Sequence, residues 1–98
     1  MKYTYNAIFT PEPETQSTLI VHFPDLPGCH TFGVGYNDAI SMAEDVLGLW
    51  LYHLEEEGED IPNPTLSQNL TTEGSDFVTS ITVDTNSYRQ YDNQALAN

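Results

Sequence analysis

The sequence predicts a small α+β domain in the order β-β-β-α-β, with an antiparallel sheet and one main helix packed on one face. Three observations predict it. Segments near both ends alternate outward and inward residues with a period of two, the pattern of a half-buried strand. One central segment repeats apolar residues with the 3.6-residue period of a helix face. Clusters of Pro, Gly, Ser and Thr separate these segments and break regular structure. The chain has 98 residues, 39% of them apolar and 11% aromatic. That is enough for one core and too apolar for a disordered acidic chain.

Each element follows from its residues. Lys2 to Phe9, "KYTYNAIF", sets Tyr3, Tyr5, Ala7 and Phe9 on one face, and aromatic enrichment favours a strand. Pro11 and Pro13 end it in a polar loop. "TLIVHF" is a β-branched second strand, and the loop between suits a hairpin with a long connection. "PDLPGC" is a turn built from Pro24, Asp25, Pro27 and Gly28: proline presets φ and glycine accepts a positive φ. "HTFGVG" is a short third strand whose Gly33 and Gly35 mark a bulge or close packing. The helix follows, capped by Asn37 or Asp38, with Ala39, Ile40, Ala43, Val46, Leu47, Trp50, Leu51 and Leu54 on its core face. Gly58 stands where a helix C-terminal glycine belongs. After a Pro- and Ser/Thr-rich loop, "FVTSITVD" returns as the fourth strand, with Phe77, Thr79, Ile81 and Val83 on one face. The domain is expected over residues 1–84. Residues 85–98 form a tail that begins a short helix at Thr85 or Asn86, or starts a linker.

Charge narrows the function. Two Lys+Arg against fifteen Asp+Glu give a net charge of −13. Such a surface repels phosphate backbones and anionic membranes, so neither nucleic acid nor a membrane is expected as a partner of this chain alone. It attracts a basic protein and speeds that encounter. No apolar run has bilayer-spanning length, "MKYTYNAIFTPEPE" has no signal-peptide core, and the single Cys29 cannot form an internal disulfide. A cytoplasmic protein is the expectation.

The assembled pattern resembles the HicB family of antitoxins. The residues that carry the resemblance are "YTYNAIFTPE", "LIVHFPDLPGCHTFGVGYNDAISMAEDVLGLWL", the "GEDIPNPT" loop and "FVTSITVDTNSYRQY". They cover nearly the whole chain and are distinctive in combination, each alone being weak. The resemblance implies a partial RNase H-like fold. It implies a partner, the HicA toxin, a small basic ribonuclease with a double-stranded-RNA-binding-like fold and a catalytic histidine. It also implies self-association into a homo-oligomer. Many members carry a C-terminal DNA-binding domain that represses their own operon. Here "YDN" resembles the linker before such a domain, and the remaining residues are too few to form one. Autorepression is therefore not expected of these residues.

A metal-dependent RNase H-like nuclease needs several converging carboxylates. Asp25, Glu44, Asp45 and Asp84 are the candidates, whereas a turn-holding hydrogen bond accounts for Asp25 more simply. Cys29 lacks a base on its own side of the strand, because His30 points to the opposite face. His22, His30 and His53 make no metal-ligand spacing, and "GVGYND" lacks the lysine of a phosphate loop. No catalytic residue, metal or cofactor is expected.

Binding residues are expected in two places. Glu55, Glu56, Glu57, Glu59 and Asp60 are the densest acidic cluster and sit at a helix C-terminus, where the macrodipole disfavours them. They are candidates for toxin contact, standing in for RNA phosphates. Met42, Leu49 and Tyr52 fall off the core stripe and are candidates for exposed apolar contact. The expected function is neutralisation of a HicA-like messenger-RNA-cleaving toxin by covering its active site and basic RNA-binding face. The rivals are the nuclease above and a stand-alone acidic interaction domain.

Overall fold

The computed structural model describes residues 1–15 and 17–88. The elements are β1 (Lys2–Pro11), β2 (Thr18–His22), β3 (His30–Val34), α1 (Tyr36–Glu57), a 3-10 turn (Ser67–Asn69) and β4 (Phe77–Asp84). They make one sheet in the order β3-β2-β1-β4, antiparallel at every pairing. The expected α+β order holds, with α1 on one face. Residues 86–88 are helical, as expected after Thr85. The rest of the expected tail or linker, 89–98, lies outside the described residues.

In β1 and β4 the face that packs on the helix is the one read from the period-two pattern. Tyr5, Ala7, Phe9, Leu19, Val21, Ile81 and Val83 meet Ala39, Ala43, Leu47 and Leu51 in one core. Ile40, Val46, Trp50 and Leu54 flank it, so the whole expected helix stripe is used. Fully burying one such large apolar side chain is worth about 1.5–3 kcal/mol. Gly33 allows β3 to approach α1: a Cβ there would lie 2.5 Å from the Ala39 backbone. Close packing, not a bulge, is its reason.

The helix cap differs from the expectation. The N-cap is Gly35, at φ 89, and α1 starts at Tyr36. Asp38 acts from inside the first turn, where its carboxylate accepts a 2.9 Å bond from the Val34 N–H. A carboxylate there also favours the positive end of the helix. The other end behaves as read. Gly58, at φ 67, donates to the Glu55 carbonyl, and Glu59 donates to the Leu54 carbonyl. That is a Schellman ending, which requires the left-handed conformation glycine tolerates.

Pairing lengths position the rest. β4 pairs β1 from Lys2↔Asp84 to Phe9↔Phe77, whereas β2 pairs it only from Ile8↔His22 to Pro11↔Leu19. The start of β1 is thus left without β2. The chain after α1 reaches that stretch: the Tyr5 hydroxyl donates to the Pro62 carbonyl, and the Asn6 amide donates to the Thr65 carbonyl at 3.0 Å. No helix among the described residues is long and apolar enough to cross a membrane.

Candidate protein-binding site

Four places in the fold hold the residues singled out by sequence. The first is the turn after β2. Leu26 donates to the Phe23 carbonyl and Cys29 to the Leu26 carbonyl, so two turns follow one another. Pro27 and Gly28 are the central residues of the second, with Gly28 at φ 93, the type II arrangement. Asp25 does something the sequence reading missed. Its carboxylate holds no bond inside the turn; it accepts from the Thr65 N–H at 2.8 Å and the Thr65 hydroxyl at 2.5 Å. The "FPDLPG" and "IPNPT" motifs are therefore two halves of one joint. Trp50 completes it, its ring 3.2 Å from where a Gly28 Cβ would stand.

The second place is the acidic end of α1. Glu56, Glu57, Glu59 and Asp60 are exposed. Glu55 is not a surface charge: it is half-buried, and its carboxylate accepts from the Tyr3 hydroxyl at 2.6 Å and the Thr85 hydroxyl at 3.0 Å. It ties α1 to the first and last strands. It is thereby tied into the fold, unlike the exposed carboxylates that follow it.

The third is a cleft of about 730 Å³ between α1 and the end of β4. Leu49, Tyr52, Val83 and Tyr88 supply its apolar lining, with Glu44, Asp45 and Asp84 also lining it. Leu49 is 49% exposed. Tyr52 is only 8% exposed, so it lines the cleft without projecting as expected. Met42, two turns before Leu49 on the same side of α1, is exposed. Tyr88 lies over Gly48, where a Cβ would come within 2.2 Å of its ring, and its hydroxyl donates to the Glu44 carbonyl at 3.2 Å. Burial raises the Tyr88 phenol above its usual range, and Asp45 and Glu44 add to the shift. Asp84 is held below the usual carboxylate range by the Asn86 N–H and by the N-terminal ammonium at 3.1 Å. Ser87 and Tyr88 were not singled out from the sequence, and His53 was considered only as a metal ligand. The available signal was Gly48, a residue that costs a helix interior about 1 kcal/mol unless something packs on it.

The four carboxylates proposed for metal chemistry divide. Glu44, Asp45 and Asp84 line the cleft, while Asp25 follows β2, whose end lies opposite Ile8. Asp84 lies opposite Lys2, six residues and about 20 Å away along β1. Among the described residues no three His, Cys, Asp or Glu side chains gather closely enough to hold a metal ion.

The fourth place is the sheet face turned away from α1. Ile20 lies opposite Phe32, and Thr18 opposite Val34. Phe32 is 60% and Val34 62% exposed. His22 and His30, on separate strands, are cross-strand neighbours here. Neither β2 nor β3 carries a carboxylate.

A sequence model for the HicB-like antitoxin of bacterial toxin–antitoxin systems matches residues 5–94. The chain belongs to the HicB-like antitoxin family. Solved structures agree on the fold. A chain in a toxin–antitoxin complex from Streptococcus pneumoniae is 26% identical to this HicB-like chain, with a TM-score of 0.81 over 90% of this chain and 73% of that one. The N-terminal domain of the Burkholderia pseudomallei antitoxin HicB is 22% identical, with a TM-score of 0.70 over 84% of this chain and 99% of that one. A structure of the B. pseudomallei antitoxin HicB is 24% identical, with a TM-score of 0.66 over 86% of this chain and 64% of that one. No curated protein sequence matched. The joint between Asp25 and Thr65 falls inside the matched region, as do the cleft-lining residues.

Proposed function

We propose that this HicB-like chain is an antitoxin that neutralises a small basic ribonuclease of the HicA type by binding over its active site and RNA-binding face. The observation that carries the reading is the joining of family membership with a net charge of −13. A ribonuclease that holds RNA presents a basic surface, and an acidic domain competes for it. The domain acts by binding and not by catalysis, in the cytoplasm, where it meets its toxin. Residues 1–84 form the domain that does this work, and 85–98 are a tail or the start of a linker. Glu56, Glu57, Glu59 and Asp60 steer the approach. Self-association, where it occurs, uses the exposed apolar face of Ile20, Phe32 and Val34, whose strands β2 and β3 carry no carboxylate of their own.

The test is a cleavage assay. The toxin encoded in the adjoining reading frame should degrade RNA alone and stop when this chain is added at one equivalent or a small excess. Continued cleavage with the chain in large excess would overturn the reading. Magnesium-dependent cleavage of RNA by this chain alone, lost in Asp25→Asn, would favour the nuclease instead.

A further inference from the structure

We infer that His22 and His30 together form a binding site for a divalent first-row transition ion such as zinc or nickel. The inference goes beyond the antitoxin reading and does not depend on it.

The register of β2 and β3 brings the two imidazoles together. His22 and His30 are Cα partners. Two backbone bonds flank the ladder: the Phe23 N–H donates to the Cys29 carbonyl, and the Gly35 N–H donates to the Ser17 carbonyl. Bonded and non-bonded pairs alternate along an antiparallel ladder. The odd-numbered partners are therefore the bonded pairs, and His22 with His30 is a non-bonded one. In such a pair the Cα atoms stand about 4.5 Å apart and the side chains rise closer together on one face. Both histidines are exposed, so their rings are open to solvent. Two imidazoles side by side can each turn one nitrogen to a shared ion at the usual distance of about 2.0–2.1 Å. Spacing along the chain hid the pair, because the whole turn from Phe23 to Cys29 lies between them.

The surroundings favour a cation. A net charge of −13 draws cations to the molecule. Lys2 is the only lysine or arginine among the described residues. It lies opposite Asp84, about 20 Å along β1 from Ile8, the partner of His22. Imidazole nitrogen selects zinc, nickel and copper over calcium and magnesium, which take oxygen ligands. The chain supplies two ligands here, fewer than a closed structural site has, and water takes the remaining positions. His53 makes no comparable pair. It lines the α1–β4 cleft with Glu44 and Asp45, but these precede it on α1 by about 12 Å or more of helix rise.

The experiment titrates the full chain with zinc chloride, by calorimetry and by following the imidazole C–H resonances. The His22 and His30 signals should shift together. His22→Gln and His30→Gln should each weaken zinc binding about tenfold or more, since one imidazole cannot chelate. His53→Gln should stay within about twofold. All three positions are exposed, and thermal melts without metal check that each variant folds. Zinc should raise the melting temperature of the parent more than that of the His22 and His30 variants, because the ion binds the paired strands. Calcium at the same concentration should leave both imidazoles unmoved. Zinc affinity unchanged in His22→Gln and His30→Gln would overturn the inference and assign the ion to the carboxylates. A shift of the His53 signal alone, or no zinc binding up to millimolar concentration, would overturn it as well. The antitoxin reading stands under every one of these outcomes.

Discussion

Cys29 is 1% exposed, and burial pushes its thiol from 9.0 up to about 11. Below pH 9 it is a small apolar filler with no thiolate to attack anything. Above that pH it matters to stability. The unfolded chain releases the proton that the folded chain keeps, so the unfolded state binds fewer protons and stability falls as pH rises from about 9 towards 11. The phenols of buried Tyr5 and half-buried Tyr88, both raised, act in the same direction at higher pH. Urea unfolding at pH 8 and pH 10.5 should therefore show a loss, of which about 2 kcal/mol disappears in Cys29→Ala. Equal losses in both proteins would show that the thiol is not the cause. Asp25 makes the same point about reading single residues. A carboxylate in a turn suggested either catalysis or a local bond, and it serves a partner 40 residues away.

Among elements, α1 uses three sides at once. One side carries Ala39, Ala43, Leu47 and Leu51 into the core. A second, with Leu49 and Tyr52, lines the cleft. Its last turn gives Glu55 to Tyr3 and Thr85. The run "EEEGED" is uniform in sequence but divided in space, and the division is measurable. Glu55→Ala should cost about 1–3 kcal/mol in chemical denaturation, since it strips two half-buried hydroxyls of a charged acceptor. Glu57→Gln with Glu59→Gln should change stability by less than about 0.5 kcal/mol and act on association instead. A Glu55 variant as stable as the parent would mean the two hydroxyl bonds contribute nothing net.

At the scale of the whole molecule the net charge of −13 is the dominant property. Its effect on a basic toxin is long-ranged and therefore kinetic. The Debye length shrinks from about 10 Å at 0.1 M salt to about 3 Å at 1 M. Association should slow by roughly tenfold or more over that range, while dissociation, held by buried apolar contact, changes little. Stopped-flow binding at several salt concentrations measures both rates. A flat association rate would remove charge steering from the account even if the proteins bind.

Periodicity in the chain was enough to specify the main elements, their order and the inward faces of β1, α1 and β4. These are local properties: a strand or helix that buries one side must write that side every 2 or every 3.6 residues. The family, too, was legible, because its motifs are turns and a helix start whose residue types are dictated by backbone geometry. Contacts across the fold were not legible. The strand order β3-β2-β1-β4 sets β4 on β1 and leaves the start of β1 to the Pro62–Thr65 segment. From that arrangement come the bond of Asp25 to Thr65, the burial of Glu55 and the meeting of Leu49 with Val83 and Tyr88. Each joins residues far apart in the chain, and no local pattern records which distant neighbour a side chain will meet.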